Sequence, residues 1–166
     1  MNVDHILATM NACQVEYLLI GGMNFLLRHE PVLTFDVDLW INDQEANRRC
    51  CELALATLEA EWGESDTDWA KVAERGPGWL DRQPVFCLNS PSGAIDVFRS
   101  VTGLPDWAVS RSHASRDTTA SGTAYWGLSD EDMLRCQLAL EEPYRKPHRI
   151  ATLERVLQER NRGDNA

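Results

Sequence analysis

The sequence predicts an α+β domain. Strands and helices follow one another without the regular βαβ alternation of a doubly wound sheet. The chain has 166 residues, enough for one domain with a real core. Its composition, 43% hydrophobic and 25% charged, is ordinary for a soluble globular protein. No apolar run approaches the length of a membrane span.

Each element has a local reason. Val3, Ile6, Leu7, Met10 and Cys13 recur at helical spacing and predict a helix over 2–14. Residues 16–20 form a short apolar strand ending at Gly21-Gly22, and 23–29 read as a helix. Glu30-Pro31 breaks that helix, because the residue before proline is pushed out of the α region. Residues 33–41 alternate and predict a strand with Phe35, Val37, Leu39 and Ile41 facing the core. Asp43 is placed to cap a helix running to about residue 61, with Ala46, Cys50, Leu53, Ala54 and Leu58 as its buried stripe. Residues 63–82 are polar and read as a loop with one helical turn. Residues 84–89 and 94–99 predict two strands joined by the Ser90-Pro91-Ser92-Gly93 turn, and 114–127 predict a second hairpin around Ser121-Gly122. Ser129 starts a helix with Asp130, Glu131 and Asp132 in its first turn, where the helix dipole favours acids, and Pro143 ends it. A last helix covers 148–160, with Ile150, Leu153 and Leu157 inward. The reading divides the domain into a core, 1–127, and C-terminal helices, 128–166, packed on it.

The net charge of -10 argues against an extended basic surface that grips duplex DNA. Residues 145–162 nevertheless hold six Arg or Lys against two Glu, while the chain before them holds ten basic and twenty-three acidic residues. That tail is where a polyanion would find a cationic surface, and it equally suits a solvated helix with cations near its C-terminus. The five cysteines are odd in number and contain no C-x-x-C, which reads as reduced thiols in a cytoplasmic protein. The start, Met1 to His5, lacks a basic region followed by an apolar core, so no signal peptide is expected.

The chemistry is concentrated at Asp36 and Asp38. Aspartate is a poor strand former, yet two of them sit one residue apart in an apolar strand. In a strand, residues i and i+2 share a face, so both carboxylates point the same way and repel unless a cation sits between them. Hard oxygen ligands of this kind suit Mg²⁺, which also takes phosphates as ligands. Asp96, in "GAIDVF", supplies a third carboxylate for a two-metal site. Gly21-Gly22 lies between a strand and a helix start, where backbone N–H groups suit phosphate. Taken singly, each piece also has a plain structural reading: a turn, a solvated sheet face, a paired acid at a strand end. The conjunction is the specific signal. Trp40 shares the face of the two aspartates and would wall the site or stack a base, and His29, at a helix end, reads as a cap or surface group.

On these residues the chain resembles the nucleotidyltransferase superfamily, the DNA polymerase β-like fold. It looks most like small bacterial stand-alone proteins of the abortive-infection and toxin type. The motif is Ile20-Gly21-Gly22, a helix, then Thr34-Phe35-Asp36-Val37-Asp38-Leu39, with the third acid at Asp96. Residues 128–157 look like the family's C-terminal helical pair. The resemblance implies a small mixed sheet and transfer of a nucleoside monophosphate from an NTP to an acceptor hydroxyl on RNA, protein or a small molecule. It implies two Mg²⁺ ions, or Mn²⁺, held by Asp36, Asp38 and Asp96, with Asp96 helping to deprotonate the acceptor. Gly21 and Gly22 would cradle the phosphates, Thr34 would join the nucleotide site, and an antitoxin-type protein would be a partner. The chain departs from the pattern at Gly22, Val32, Gln137 and Pro147, where relatives carry Ser, Arg, Lys and Asp. Arg145, Lys146 and Arg149 would then supply the missing cations. The alternative is a degenerate relative that binds nucleotide or a protein partner without turnover.

Overall fold

Residues 1–65, 67–104 and 106–163 are described in the computed structural model, so the predicted end of the C-terminal segment, 164–166, lies outside the described residues. Helix α1 (Val3–Ala12) begins where the Asn2 side chain accepts the His5 N–H, and the chain reverses after it through Gln14 at φ 57°. Strand β1 (Tyr17–Leu19), helix α2 (Gly21–Arg28), strand β2 (Asp36–Ile41) and helix α3 (Glu45–Thr57) follow. Short strands β3 (Glu61–Trp62) and β4 (Ala70–Lys71) lead to 3-10 turns at Val72–Glu74 and Trp79–Asp81. The predicted hairpin is β5 (Val85–Ser90) and β6 (Gly93–Phe98). Helix α4 (Trp107–His113), the second hairpin β7 (Ser115–Thr118) and β8 (Ala124–Gly127), and helices α5 (Asp130–Ala139) and α6 (Pro147–Gly163) complete the described elements. None of these helices is long and apolar enough to cross a membrane.

The strands form one eight-stranded mixed sheet in the order β4-β3-β5-β6-β2-β1-β8-β7, consistent with the α+β expectation. The pairs β2/β6 and β1/β8 are parallel, and the other pairs are antiparallel. The larger core joins Leu39, Val97 and Phe86 of the sheet to Leu7 of α1 and Leu55 of α3. A smaller core joins Leu18 and Trp40 to Phe25 of α2, Met133 of α5 and Leu153 of α6. Strand β1 is buried throughout between the two cores, while β5 and β6 alternate buried and open positions and so keep one more polar side.

Several expectations need correcting. Strand β2 begins at Asp36 rather than 33, and Phe35, expected in the core, is 74% exposed in the preceding loop. Asp43 does not cap α3; it pairs with Arg48 and Arg99, and Gln44 holds the cap position without a side-chain bond. Of the expected α3 stripe, Ala54 and Leu58 are buried, but Leu53 is 61% exposed, and Asn47, Cys51, Glu52 and Leu55 complete the buried face. The shift has a polar cause. Asn47 bonds the backbone of Glu16 and Asn42, and Glu52 accepts the N–H groups of Gly78 and Leu80. Glu52 thereby anchors the 63–82 segment, which contains β4 and two 3-10 turns and buries Trp79 against Trp62 and Phe86. Helix α5 ends at Ala139, four residues before Pro143, which has no N–H to offer the Ala139 carbonyl; the Arg145 guanidinium donates instead to the freed carbonyl of Leu138 and to that of Leu140. His29 caps the C-terminal end of α2, its N–H donating to the Phe25 carbonyl, but it is no surface group: its Nε2 lies 3.0 Å from Asp130, which is 1% exposed and also pairs with Arg28 and Arg160.

Candidate metal centre

Strand β2 carries Asp36 and Asp38 on one face, and β6 carries Asp96. The parallel register sets Asp38 directly beside Asp96. One carboxylate oxygen from each of the three acids lies within 4.8 Å of the other two. All three are half-buried, at the border of the smaller core. Burial pushes the Asp38 carboxyl up to about 7, and the charges of Asp36 and Asp96 add to the shift. The Gly22 backbone N–H and the Arg149 guanidinium pull it the other way. Burial likewise raises Asp96; the Cys87 thiol, hydrogen-bonded to it, opposes the rise and Asp36 adds to it. A carboxylate trio that repels itself in this way is the donor set a hard divalent cation fits.

Gly21 has φ +64°, and a Cβ on it would overlap the Asp38 carboxylate. This glycine therefore lets Asp38 approach the first turn of α2, a steric role beyond that of a cradle. A Cβ on Gly22 would lie 2.5 Å from Thr34 Oγ1 and 3.0 Å from Arg149 Nη2. The Thr34 hydroxyl donates to Asp36 Oδ1 at 3.2 Å, which aims the first carboxylate.

A cavity of about 210 Å³ opens beside Asp38. Gly21, Arg149 and Gln137 are among its lining residues, with Phe25, Met133 and Leu153 supplying apolar wall. The Arg149 guanidinium lies 5.8 Å from the Phe25 ring centroid. Of the three expected cations, only Arg149 lines this cavity. Arg145 is committed to the end of α5. Lys146 is exposed and contributes its backbone N–H to Gln137 Oε1. Trp40 does lie on the aspartate face, but at 3% exposure it packs in the smaller core and offers no ring to a base.

Two features were missed in the sequence. The cavity wall comes from residues scattered between 20 and 153, which no local pattern connects. Cys87 sits opposite Asp96 across the β5/β6 hairpin. The Ser90–Gly93 turn does encode that pairing, since a fixed turn fixes the register of every rung behind it. Burial first, and then Asp96, push the Cys87 thiol up to about 11. No protein-family model matches the chain, and no curated protein matches it.

Proposed function

We propose that the chain is a magnesium-dependent nucleotidyltransferase that moves a nucleoside monophosphate from an NTP to an acceptor hydroxyl, releasing pyrophosphate. The observation that carries this reading is the convergence of Asp36, Asp38 and Asp96 within 4.8 Å beside the glycine-led start of α2. Asp36, Asp38 and Asp96 would hold the divalent ions, Mg²⁺ or Mn²⁺. Such ions supply charge neutralisation at the phosphates and polarise the reacting phosphoryl group. Thr34 keeps Asp36 turned toward the cluster. Asp96, with the exposed Cys87 beside it, is the carboxylate placed to receive the proton of an incoming hydroxyl. Arg149 pairs with a phosphate oxygen, and the apolar cavity shields the nucleoside end from water. The resemblance to toxin-type nucleotidyltransferases supports the same reading.

Incubation with labelled NTPs, Mg²⁺ and cell extract tests it. Label is expected on an acceptor with the wild-type chain. Asp36→Ala is expected to lower transfer by about a hundredfold or more, since it removes a transition-state contact to the charged site. Transfer that survives this change defeats the proposal.

One observation favours a second reading, nucleotide binding without turnover. Among the expected cations only Arg149 lines the cavity, because Arg145 is held by backbone carbonyls. Calorimetric NTP binding together with no transfer to any acceptor would select it.

A further inference from the structure

Glu30, in the loop between α2 and β2, reaches across to the start of α6. Its Oε1 accepts the Thr152 hydroxyl at 2.7 Å and lies 3.0 Å from His148 Nε2. Residues 148 and 152 stand one turn apart on the same face of the helix, so one carboxylate oxygen grips α6 at two successive turns. Thr152 is buried and the His148 side chain is 69% exposed, which makes the threonine bond the firmer of the two. Arg149 follows His148 directly and lines the cavity beside Asp38. Among the described residues no hydrogen bond or ion pair holds its guanidinium, which lies 5.8 Å from the Phe25 ring centroid. The place of that group therefore depends on the place of the helix beneath it. Its tip meets Thr34 above Gly22, where a Cβ would lie 2.5 Å from Thr34 Oγ1 and 3.0 Å from Arg149 Nη2. Thr34 belongs to the same loop as Glu30 and donates to Asp36. One loop thus braces Asp36 through Thr34 and α6 through Glu30.

We propose that Glu30 is a positioning residue for Arg149: it ties α6 to the loop that carries Thr34 and so holds the guanidinium over Gly22, where it meets the phosphates of the ligand. The inference rests on the nucleotide-binding reading above, in which Arg149 takes a phosphate oxygen. Charge alone predicts the opposite sign. A carboxylate near a polyphosphate repels it, so removing Glu30 would tighten binding if its charge were all that mattered. Removing a brace weakens binding, because a guanidinium displaced by about an ångström no longer matches the oxygen it pairs with.

Calorimetry with the four NTPs and with inorganic tripolyphosphate, each with Mg²⁺, tests the assignment. Glu30→Ala is expected to weaken tripolyphosphate binding by about five- to tenfold, and Arg149→Ala by about thirtyfold. The double variant is expected to bind within about twofold of Arg149→Ala, since the brace then has nothing to position. Glu30→Gln keeps an oxygen for the Thr152 hydroxyl and sheds the repelling charge, so it is expected to bind at least as tightly as wild type. His148→Ala is expected to stay within about twofold of wild type, because its bond is exposed. Thermal melts check that each variant is folded; Thr152→Val, expected to weaken binding by about threefold, carries the same comparison where Glu30→Ala does not fold. Unchanged or tighter binding in Glu30→Ala overturns the assignment. So does a double variant in which the two losses multiply, or a loss in Glu30→Gln equal to that in Glu30→Ala. Each of these leaves nucleotide binding intact. No wild-type binding of any of the five ligands removes both this inference and the reading beneath it.

Discussion

At the start of α2 a hydrogen atom occupies the place where any other residue would put a carbon. Gly21 leaves that space to the Asp38 carboxylate, so the most perturbed acid of the cluster is held against a helix N-terminus. The consequence is readable in stability. Asp38 titrates near 7 in the fold, raised by burial and then by Asp36 and Asp96, against an ordinary value of 3.8. The folded chain therefore holds this proton more tightly than the unfolded one. That contribution is full below the unfolded value and is lost as pH rises toward 7. Asp38→Asn keeps the neutral form at every pH. In EDTA it is expected to melt several degrees above wild type at about pH 8, with the gap shrinking toward about pH 4. Added Mg²⁺ should narrow the gap at high pH by stabilising only wild type. Thermal melts at several pH values, with and without the ion, would show a constant gap if the Asp38 carboxyl kept its ordinary value in the fold. The acids themselves were legible in the sequence because aspartate inside an apolar strand is a local anomaly. The commitment of Arg145 to helix carbonyls was not, because it depends on where α5 stops.

Among the elements, α6 decides whether the cavity exists, since it carries Arg149 and Leu153 into the wall. Its far half is fastened by Arg160 to Asp130 in the first turn of α5, and Asp130 is gripped from the other side by Arg28 and His29 of α2 and its cap. Removing one member of a buried ion cluster strands the others. Asp130→Ala is expected to cost about 3–5 kcal/mol in urea unfolding. Arg160→Ala, whose side chain is 47% exposed, is expected to cost about 1 kcal/mol or less. Equal costs would show that Asp130 is no hub. Where an element rests on chemistry within a few residues, the sequence predicts it well. The Ser129 cap and the Ser90–Gly93 turn both appear where expected, because their hydrogen bonds are local. Elements held by distant partners escape such reasoning. The face of α3 is turned by Asn47 reaching Glu16, and the 63–82 segment is shaped by Glu52, more than twenty residues away.

For the whole molecule, charge and sheet order matter most. The chain has net charge -10, and the body before residue 145, with ten basic against twenty-three acidic residues, repels a polyanionic duplex; half of the basic tail is tied up. Arg160 serves Asp130 and Glu131, Arg155 serves Glu159, and Arg145 serves backbone carbonyls. No shift of duplex DNA is expected in a gel assay at about 0.15 M salt, where the protein would need a basic stripe to displace counterions. A retarded band would show that the tail outweighs the body. The α+β class followed from the order of elements, but the meeting of Asp38 with Asp96 did not. It requires β2 and β6 to be parallel neighbours, a long-range choice that no local signal specifies. That pairing has a hereditary corollary. The rung shared by Asp38 and Asp96 continues to Cys87 through the hairpin closed at Ser90–Gly93. A single-codon insertion or deletion in that bend would shift one strand by half a pleat, turning either a carboxylate or an aliphatic side chain the wrong way. The length of a short surface bend that bears no acid thus guards the carboxylate cluster as strictly as the acids do.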